Sequence, residues 1–272
     1  MRVGIGLPTA IAGASAALTP AWARRAEAAG LATLGVHDRL AYDSLEPMTA
    51  LAAAAAVTER VRLAALVVVG PLRGGGAVLA RQAATVAALA RGRLTLGLGV
   101  GPRRDDYEAA GVPWERRGTL LDAQLGDLLD RLPGDVEVVI GGGGDAALAR
   151  MARHSAGWCH GGGPARAFRA AADRARIAWS DAGRPGQPRL WGLGYFALGP
   201  GAAEAGRLAL GRYYAFAGAA VARIEAGMLA TPAAIAEHCA GYAEAGCDEL
   251  VLFPTVAELD QVDRLAEIGA LR

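Results

Sequence analysis

The residues of this sequence that could do chemistry fall in three glycine clusters and one His-Asp pair. Gly97, Gly99 and Gly101 close an apolar run at 94–101. Gly141 to Gly144 follow a second run, and His160 leads Gly161, Gly162 and Gly163 after a third. His37 and Asp38 stand at the end of a fourth, "TLGVH" at 33–37. An imidazole with an ordinary pKa of about 6.5 suits proton delivery at neutral pH. Side chains alternate along an extended chain, so one of these two neighbours is expected to face an interior. A packing His, or an Asp that caps a helix, is the plainer reading of the pair.

The stretch Gly97-Leu98-Gly99-Val100-Gly101 invites comparison with the dinucleotide fingerprint G-x-G-x-x-G, whose last glycines open a helix that holds a pyrophosphate. Here Pro102 comes next, then "RRDDYEAAGVPW", expected to be irregular, and no acidic ribose-binding residue follows at the usual spacing. The fingerprint fails on spacing and on context. Glycines at a strand end instead permit close approach, either of a flat ligand or of tightly packed neighbours. The clusters at 141–144 and 160–163 each follow a strand and open a helix. Their free N–H groups would converge at a positive dipole end and suit a phosphate, with His160 an added donor; flexible turns are the alternative.

Positioning these residues takes a repeated unit. Apolar runs at 3–7, 33–37, 61–70, 94–101, 136–141, 156–161, 189–199 and 248–254 are each followed by a helical pattern. The runs are continuous rather than alternating, as in strands covered on both faces. Helices are expected from Glu46 to Glu59, over Asp145 to His154, from near Pro164, and over a longer region after 199, with Gly30, Gly92 and Gly246 as stops. Eight strand-helix units in this length predict a single-domain (β/α)8 TIM barrel over 1–272; a doubly wound open sheet is the rival, since periodicity does not report closure.

Composition narrows the function. The 272 residues are 53% hydrophobic and 20% charged, with a net charge of +1, so there is no electrostatic case for nucleic acid or an anionic membrane. All 28 basic residues are Arg; Lys and Asn are absent. That excludes Schiff-base and pyridoxal chemistry and a P-loop lysine. Cys159, Cys239 and Cys247 form no metal spacing and read as buried thiols in a reducing compartment. No metal site is expected. His154 and His238 lie in helical patterns and read as structural or surface residues, and Trp158 and Trp191 lie in apolar runs and read as core. The N-terminal "MRVGIGLPTAIAGASAALTPAWA" imitates a signal peptide, but its middle is Gly- and Ala-rich and residues 3–7 are needed as a strand. A cytoplasmic protein without a membrane span is expected.

"ARGRLTLGLGVGPRRDDYEAAGVPWERRGTLLDAQL" resembles the signature region of the luciferase-like flavin monooxygenases, including their deazaflavin (coenzyme F420) branch. "GVHDRLAYDSLEPMTALAAAAAVTERVRL", "VVIGGGGDAALARMARHSAGW" and "TPAAIAEHCAGYAEAGCDELVLFPT" agree in order, so the resemblance spans nearly the whole chain. It implies a TIM barrel that binds FMN or the deazaflavin at the carboxyl ends of its strands, and oxidoreductase or monooxygenase activity on a small organic substrate. By the same resemblance Asp38, with His37 beside it, is the catalytic candidate. Gly99, Gly101, Arg103, Gly142, Gly143, Gly144, His160, Gly161 and Gly162 are the cofactor-binding candidates, and Arg104 and Tyr107 would reach the cofactor tail or cover its ring. Relatives often form homodimers, and the Ala-rich helix at 46–59 would suit one. The chain departs from the family in three places, the first being His37-Asp38-Arg39 where relatives often read Asp-His, so that Asp38 matches the Asp and Arg39 takes the His position. Only "PGD" stands where a lid insertion is common, and "PLRGGGAVLA" follows the third strand. A short lid leaves less shelter for oxygen chemistry. Together with the altered His-Asp order it keeps open a barrel that binds a ligand or partner without catalysis, and the glycine loops keep open a phosphosugar-type barrel enzyme, ranked last for want of Lys and of clustered metal ligands.

Overall fold

The continuous apolar runs become strands because both their faces are covered, one by helices and the other by the strands opposite. The computed structural model describes residues 1–269. In chain order the elements are β1 (Arg2–Gly6), α1 (Leu18–Ala28), β2 (Thr33–Val36), α2 (Pro47–Ala55), β3 (Arg62–Val69), α3 (Gly76–Ala90) and β4 (Leu94–Gly99). Then come α4 (Arg104–Ala110), α5 (Arg117–Arg131), β5 (Glu137–Gly141), α6 (Asp145–His154), β6 (Gly157–Cys159) and α7 (Ala165–Asp181). The chain continues through β7 (Arg189–Phe196), α8 (Ala202–Tyr213), α9 (Val221–Ala226), α10 (Pro232–Glu244), β8 (Glu249–Pro254) and α11 (Asp260–Ala266). All eight strands are parallel and β8 returns to β1, closing the barrel. The open-sheet rival is thereby excluded.

Helices take their places through one apolar stripe each. In α7 the buried residues are Phe168, Ala172, Ala175 and Trp179, and in α5 Leu121, Leu125 and Leu128, the spacing of one helical face. Caps set the ends. The Glu46 carboxylate accepts from Thr49 N at 2.6 Å with Pro47 in the first turn, so α2 starts one residue later than expected. It also ends earlier, at Ala55. The following turn is held instead by the Glu27 carboxylate, which accepts from the N–H groups of Glu59, Arg60 and Val61.

Inside the barrel, large side chains fit because small ones face them. Trp191 is fully buried in a cluster with Ala64, Val139, Cys159 and Val251, and a Cβ at Gly35 would lie 2.7 Å from Val251 Cγ1. The amino ends of the strands are closed by charge. Glu249 is fully buried and accepts from Arg2 at 2.8 Å, with Arg62 and Arg189 each 3.9 Å away. The two tryptophans read as core, Trp158 and Trp191, are both fully buried.

Two expectations need correction. The stretch after Pro102 is not irregular throughout, because Arg104–Ala110 forms α4. It has two turns with only Asp106 and Tyr107 buried, too little apolar periodicity to be seen in advance. The long helical region after β7 is broken into α8, a 3-10 segment at Ala215–Ala220, α9 and α10. As expected, α5 and β5 are joined without a lid insertion. Among the described residues, no helix is long and apolar enough to cross a membrane.

Candidate active site

The site begins with a bulge. Along the β3–β4 ladder Ala65 pairs with Leu96, but the next pair is Val68 with Leu98, so Leu66 and Val67 together face Gly97. The Leu66–Val67 peptide is cis. The bulge turns Val67 into the barrel mouth, where three glycines make room for it. A Cβ would lie 2.9 Å from its Cγ1 at Gly97, 2.7 Å from its Cγ2 at Gly99 and 2.8 Å from its Cγ1 at Gly141. Contacts below 3.0 Å do not occur between real Cβ atoms and their neighbours, so the glycines of β4 are first of all packing glycines. Gly101 differs, because its φ of 61° also lies in the left-handed region.

The same bulge aims the Leu66 carbonyl at His37. Nδ1 of His37 lies 3.0 Å from Leu66 O, and a carbonyl can only accept, so Nδ1 carries the proton and Nε2 is left as an acceptor. Tyr195 Oη, 3.3 Å from Nε2, therefore donates to it. Tyr195 Oη in turn accepts from Tyr214 Oη at 2.6 Å. The imidazole stacks on Phe253 with ring centres 3.7 Å apart. Burial, with the Arg39 charge nearby, holds the His37 pKa down to about 4, against the pull of the Leu66 hydrogen bond. Burial also raises the Tyr195 hydroxyl well above its usual value and raises Tyr214. At neutral pH the whole chain of groups is uncharged.

Around it, each arginine is paired. Asp38 accepts from Val69 N at 2.8 Å and from Arg73 at 2.6 Å, while Arg73 also reaches Glu46 at 2.7 Å. Burial pushes the Asp38 carboxyl up, and Arg73 and the Val69 N–H pull it back. Arg39 binds Asp106 at 2.7 and 3.3 Å, and Asp106 also accepts from Leu40 N and Ala41 N. The Arg39 guanidinium lies 5.3 Å from the Tyr42 ring centre and 5.1 Å from that of Tyr213. Arg103 pairs with Asp105, donates to Tyr213 O at 2.7 Å and lies over the Phe216 ring. These contacts fasten the end of α8 across the mouth.

The glycine loops form the other half of the site. Trp158 Nε1 donates to Gly142 O at 2.8 Å, and Gly142 has a φ of 121° that favours glycine. Gly144 is the N-cap of α6. Arg174, on α7, donates to Gly143 O at 2.9 Å and pairs with Asp145, yet its side chain stays half exposed. A cleft of about 460 Å³ lies between Val67, Gly101, these loops and Arg174. It shares the walls Leu66, Val67, Gly101 and Gly161 with a second cleft of about 220 Å³ that reaches His37, Asp38 and Tyr195. Side chains added at Gly143 or Gly161 would meet nothing within 4 Å. His160 lines the larger cleft, and its buried Nδ1 has no partner among the described residues.

The candidates named from sequence therefore divide. His37 and Asp38 both border the smaller cleft, but the Asp38 carboxylate is engaged by Arg73 and Val69 N. Gly99, Gly101, Gly142, Gly143, His160 and Gly161 line the larger cleft. Gly144 and Gly162 stand outside both walls, and Gly162 packs on Leu193. Arg103 borders the smaller cleft with its guanidinium already committed. Arg104 is exposed and pairs with Glu115, whereas Tyr107 is buried and donates to Val100 O at 2.6 Å. Sequence reading missed Tyr195, Tyr214, Val67 and Arg174. The tyrosines lie at the end of β7 and just past α8, more than 150 residues from His37, and no short motif joins them.

Comparison with known proteins bears out the resemblance seen in the motifs, since residues 1–132 match the family model for luciferase-like monooxygenases. An uncharacterized protein of Mycobacterium tuberculosis is 33% identical over 186 residues, covering 52% of this chain and 64% of the relative. A second from the same species is 41% identical over 82 residues, covering 30% of this chain and 29% of the relative. The matches thus span less than two thirds of these relatives. The fold is shared with an F420-dependent secondary alcohol dehydrogenase in complex with an F420–acetone adduct, at TM-score 0.82 and 16% identity over 100% of both chains. A monooxygenase from Streptomyces bottropensis gives TM-score 0.79 and 19% identity over 99% of this chain and 98% of its own. The FMN-bound oxygenating constituent of 3,6-diketocamphane monooxygenase from Pseudomonas putida gives 0.75 and 14% over 98% and 96%.

Proposed function

We propose that this protein is an oxidoreductase that uses a flavin-type cofactor, FMN or the deazaflavin F420, on a small organic substrate at the carboxyl ends of its strands. One observation carries the reading. Two adjoining clefts share the Val67 bulge as a wall, with a glycine-lined, Arg174-bearing end and a His37–Tyr195 end. The residues present fit such a cofactor. Gly143 and Gly161 leave open space that any side chain would fill, and the amino end of α6 with Arg174 suits a phosphate. Leu66 and Val67 supply an apolar surface for a flat ring, and His37 and Tyr195 supply polar groups beside it. Structural neighbours solved with F420 and with FMN lend support at the level of the fold.

When bound in reduced form, such a cofactor supplies a hydride, and FMN can also activate O₂. The chain's own part is to bind and orient the ring against Val67, to keep charge out of the mouth, and to hold a proton at Tyr195 Oη beside the acceptor Nε2 of His37. The deciding experiment is titration of the purified protein with reduced FMN and with reduced F420, followed by fluorescence. Saturable binding of one of them is expected, weakened by Arg174→Ala. Binding of neither at high micromolar concentration overturns the reading.

A further inference from the structure

Beside His37 the mouth holds a small recess between the β1–α1 loop and α8. Leu7, Ile11, Leu210 and Phe253 form its apolar walls, and His37 and Tyr195 face it; no charged residue lines it. Its volume of about 30 Å³ leaves room for only a small group. The nearby charges are matched in pairs, Arg39 with Asp106, Arg73 with Asp38 and Arg103 with Asp105. A ligand bringing a carboxylate or phosphate here would have to break one of these pairs, whereas an uncharged ligand would not. Within the recess itself the polar groups left to meet a ligand oxygen are the tyrosine hydroxyls and the imidazole, since the unpartnered Nη1 of Arg39 belongs to a residue that borders the adjoining cleft instead.

The imidazole cannot give a proton, because its N–H is spent on Leu66 O and Nε2 carries none. Tyr195 can. It has one proton, now directed to Nε2 across a long 3.3 Å contact, and a partly exposed Tyr214 at 2.6 Å from which to recover it. We propose that Tyr195, resupplied by Tyr214, exchanges a proton with the oxygen of a small uncharged ketone or alcohol whose apolar end lies in this recess. This rests on the oxidoreductase reading above and adds to it a substrate class and a proton path. In the reducing direction a bound reduced cofactor would supply the hydride to the substrate carbon, and the C=O π pair would move onto oxygen. The Tyr195 O–H bond breaks as its proton joins that oxygen. Tyr214 passes its own proton to Tyr195 and takes one from solvent. Oxidation of an alcohol runs the same transfers backwards. His37 is a positioning residue, holding the Tyr195 hydroxyl toward the recess.

The test begins with reduced-cofactor binding to the wild type and to Tyr195→Phe and Tyr214→Phe, which should be saturable in all three, so that turnover is compared with the cofactor fully bound. With the bound cofactor, 2-butanone and cyclohexanone should oxidise it and pyruvate should not. Tyr195→Phe should lower kcat about 100-fold with KM within a few-fold, and Tyr214→Phe about 10-fold with a larger solvent deuterium effect. Independently of turnover, nitrogen NMR of the His37 ring should report loss of the hydrogen bond to Nε2 in Tyr195→Phe and not in Tyr214→Phe. Wild-type kcat in Tyr195→Phe overturns the proton path. Preference for pyruvate, or no turnover of any neutral ketone or alcohol by a protein that binds the cofactor, overturns the substrate class. Failure to bind either reduced cofactor brings down the underlying reading instead, while the NMR signal still reports the Tyr195–His37 link.

Discussion

Val67 occupies the space that a side chain at Gly99 would need, since a Cβ there would come within 2.7 Å of Val67 Cγ2. The glycine-rich strand β4 is thus a mould for the bulge on β3. Gly99→Ala should cost about 1–3 kcal/mol by overpacking and weaken reduced-cofactor binding at least about tenfold as the platform shifts. Adding Val67→Ala should restore stability without restoring binding. Gly143→Ala, with nothing within 4 Å, should leave the melting temperature unchanged and still weaken binding. Urea denaturation paired with fluorescence titration separates these outcomes; equal behaviour of Gly99→Ala and Gly143→Ala would contradict the assignment.

Asp106 joins α4 to the loop after β2 through Arg39 and two backbone N–H groups. Asp106→Ala leaves the buried Arg39 charge with only the more distant Asp105, 3.8 Å away, and should destabilise the fold by about 3 kcal/mol. Asp106→Asn keeps an acceptor for the N–H groups and should lose less. Denaturant midpoints of the two variants measure the difference.

The depressed pKa of His37 gives stability a pH dependence of definite sign. The unfolded imidazole protonates near 6.5 and the folded one at about 4, so the folded state binds fewer protons between these values. Stability should therefore be fully present above about pH 6.5 and fall as pH drops toward 4, by about 3 kcal/mol from this residue. His238, held to about 4 by burial on α10, adds a parallel slope. Burial lowers His160 in the same direction, so His37→Gln should flatten the curve in part; an unchanged slope would show that His37 is not a group responsible.

Glu249 closes the opposite end of the barrel with Arg2, Arg62 and Arg189. Glu249→Ala should lower stability by about 1–2 kcal/mol, since the three arginines that lose its carboxylate are partly exposed and Arg62 and Arg189 keep Glu137 and Asp248. Reduced-cofactor affinity, measured well below the melting temperature, should not change, because the amino ends of barrel strands serve stability rather than binding.

Most of the architecture was legible in the sequence. Each strand is an apolar run bounded by breakers, and each stripe such as Phe168–Ala172–Ala175–Trp179 repeats at helical spacing; both are local patterns with local causes. The glycine loops that open α6 and precede α7 were found because a strand, glycines and a helix start are contiguous in the chain. Helix α4 was not found, because two turns with two buried residues leave no period to detect.

Residue order by itself determined that there would be eight strand-helix units, that His37 and the glycines would stand at strand ends, and that no lysine chemistry would be available. Closure of the barrel decided the rest. It set Gly97, Gly99 and Gly141 against Val67, brought Tyr195 and Tyr214 to His37, and paired each arginine at the mouth with a carboxylate from elsewhere in the chain or beside it. The reason is physical: packing, hydrogen bonding and ion pairing act over a few ångströms of space, and chain order carries no record of which distant residues closure will bring that near.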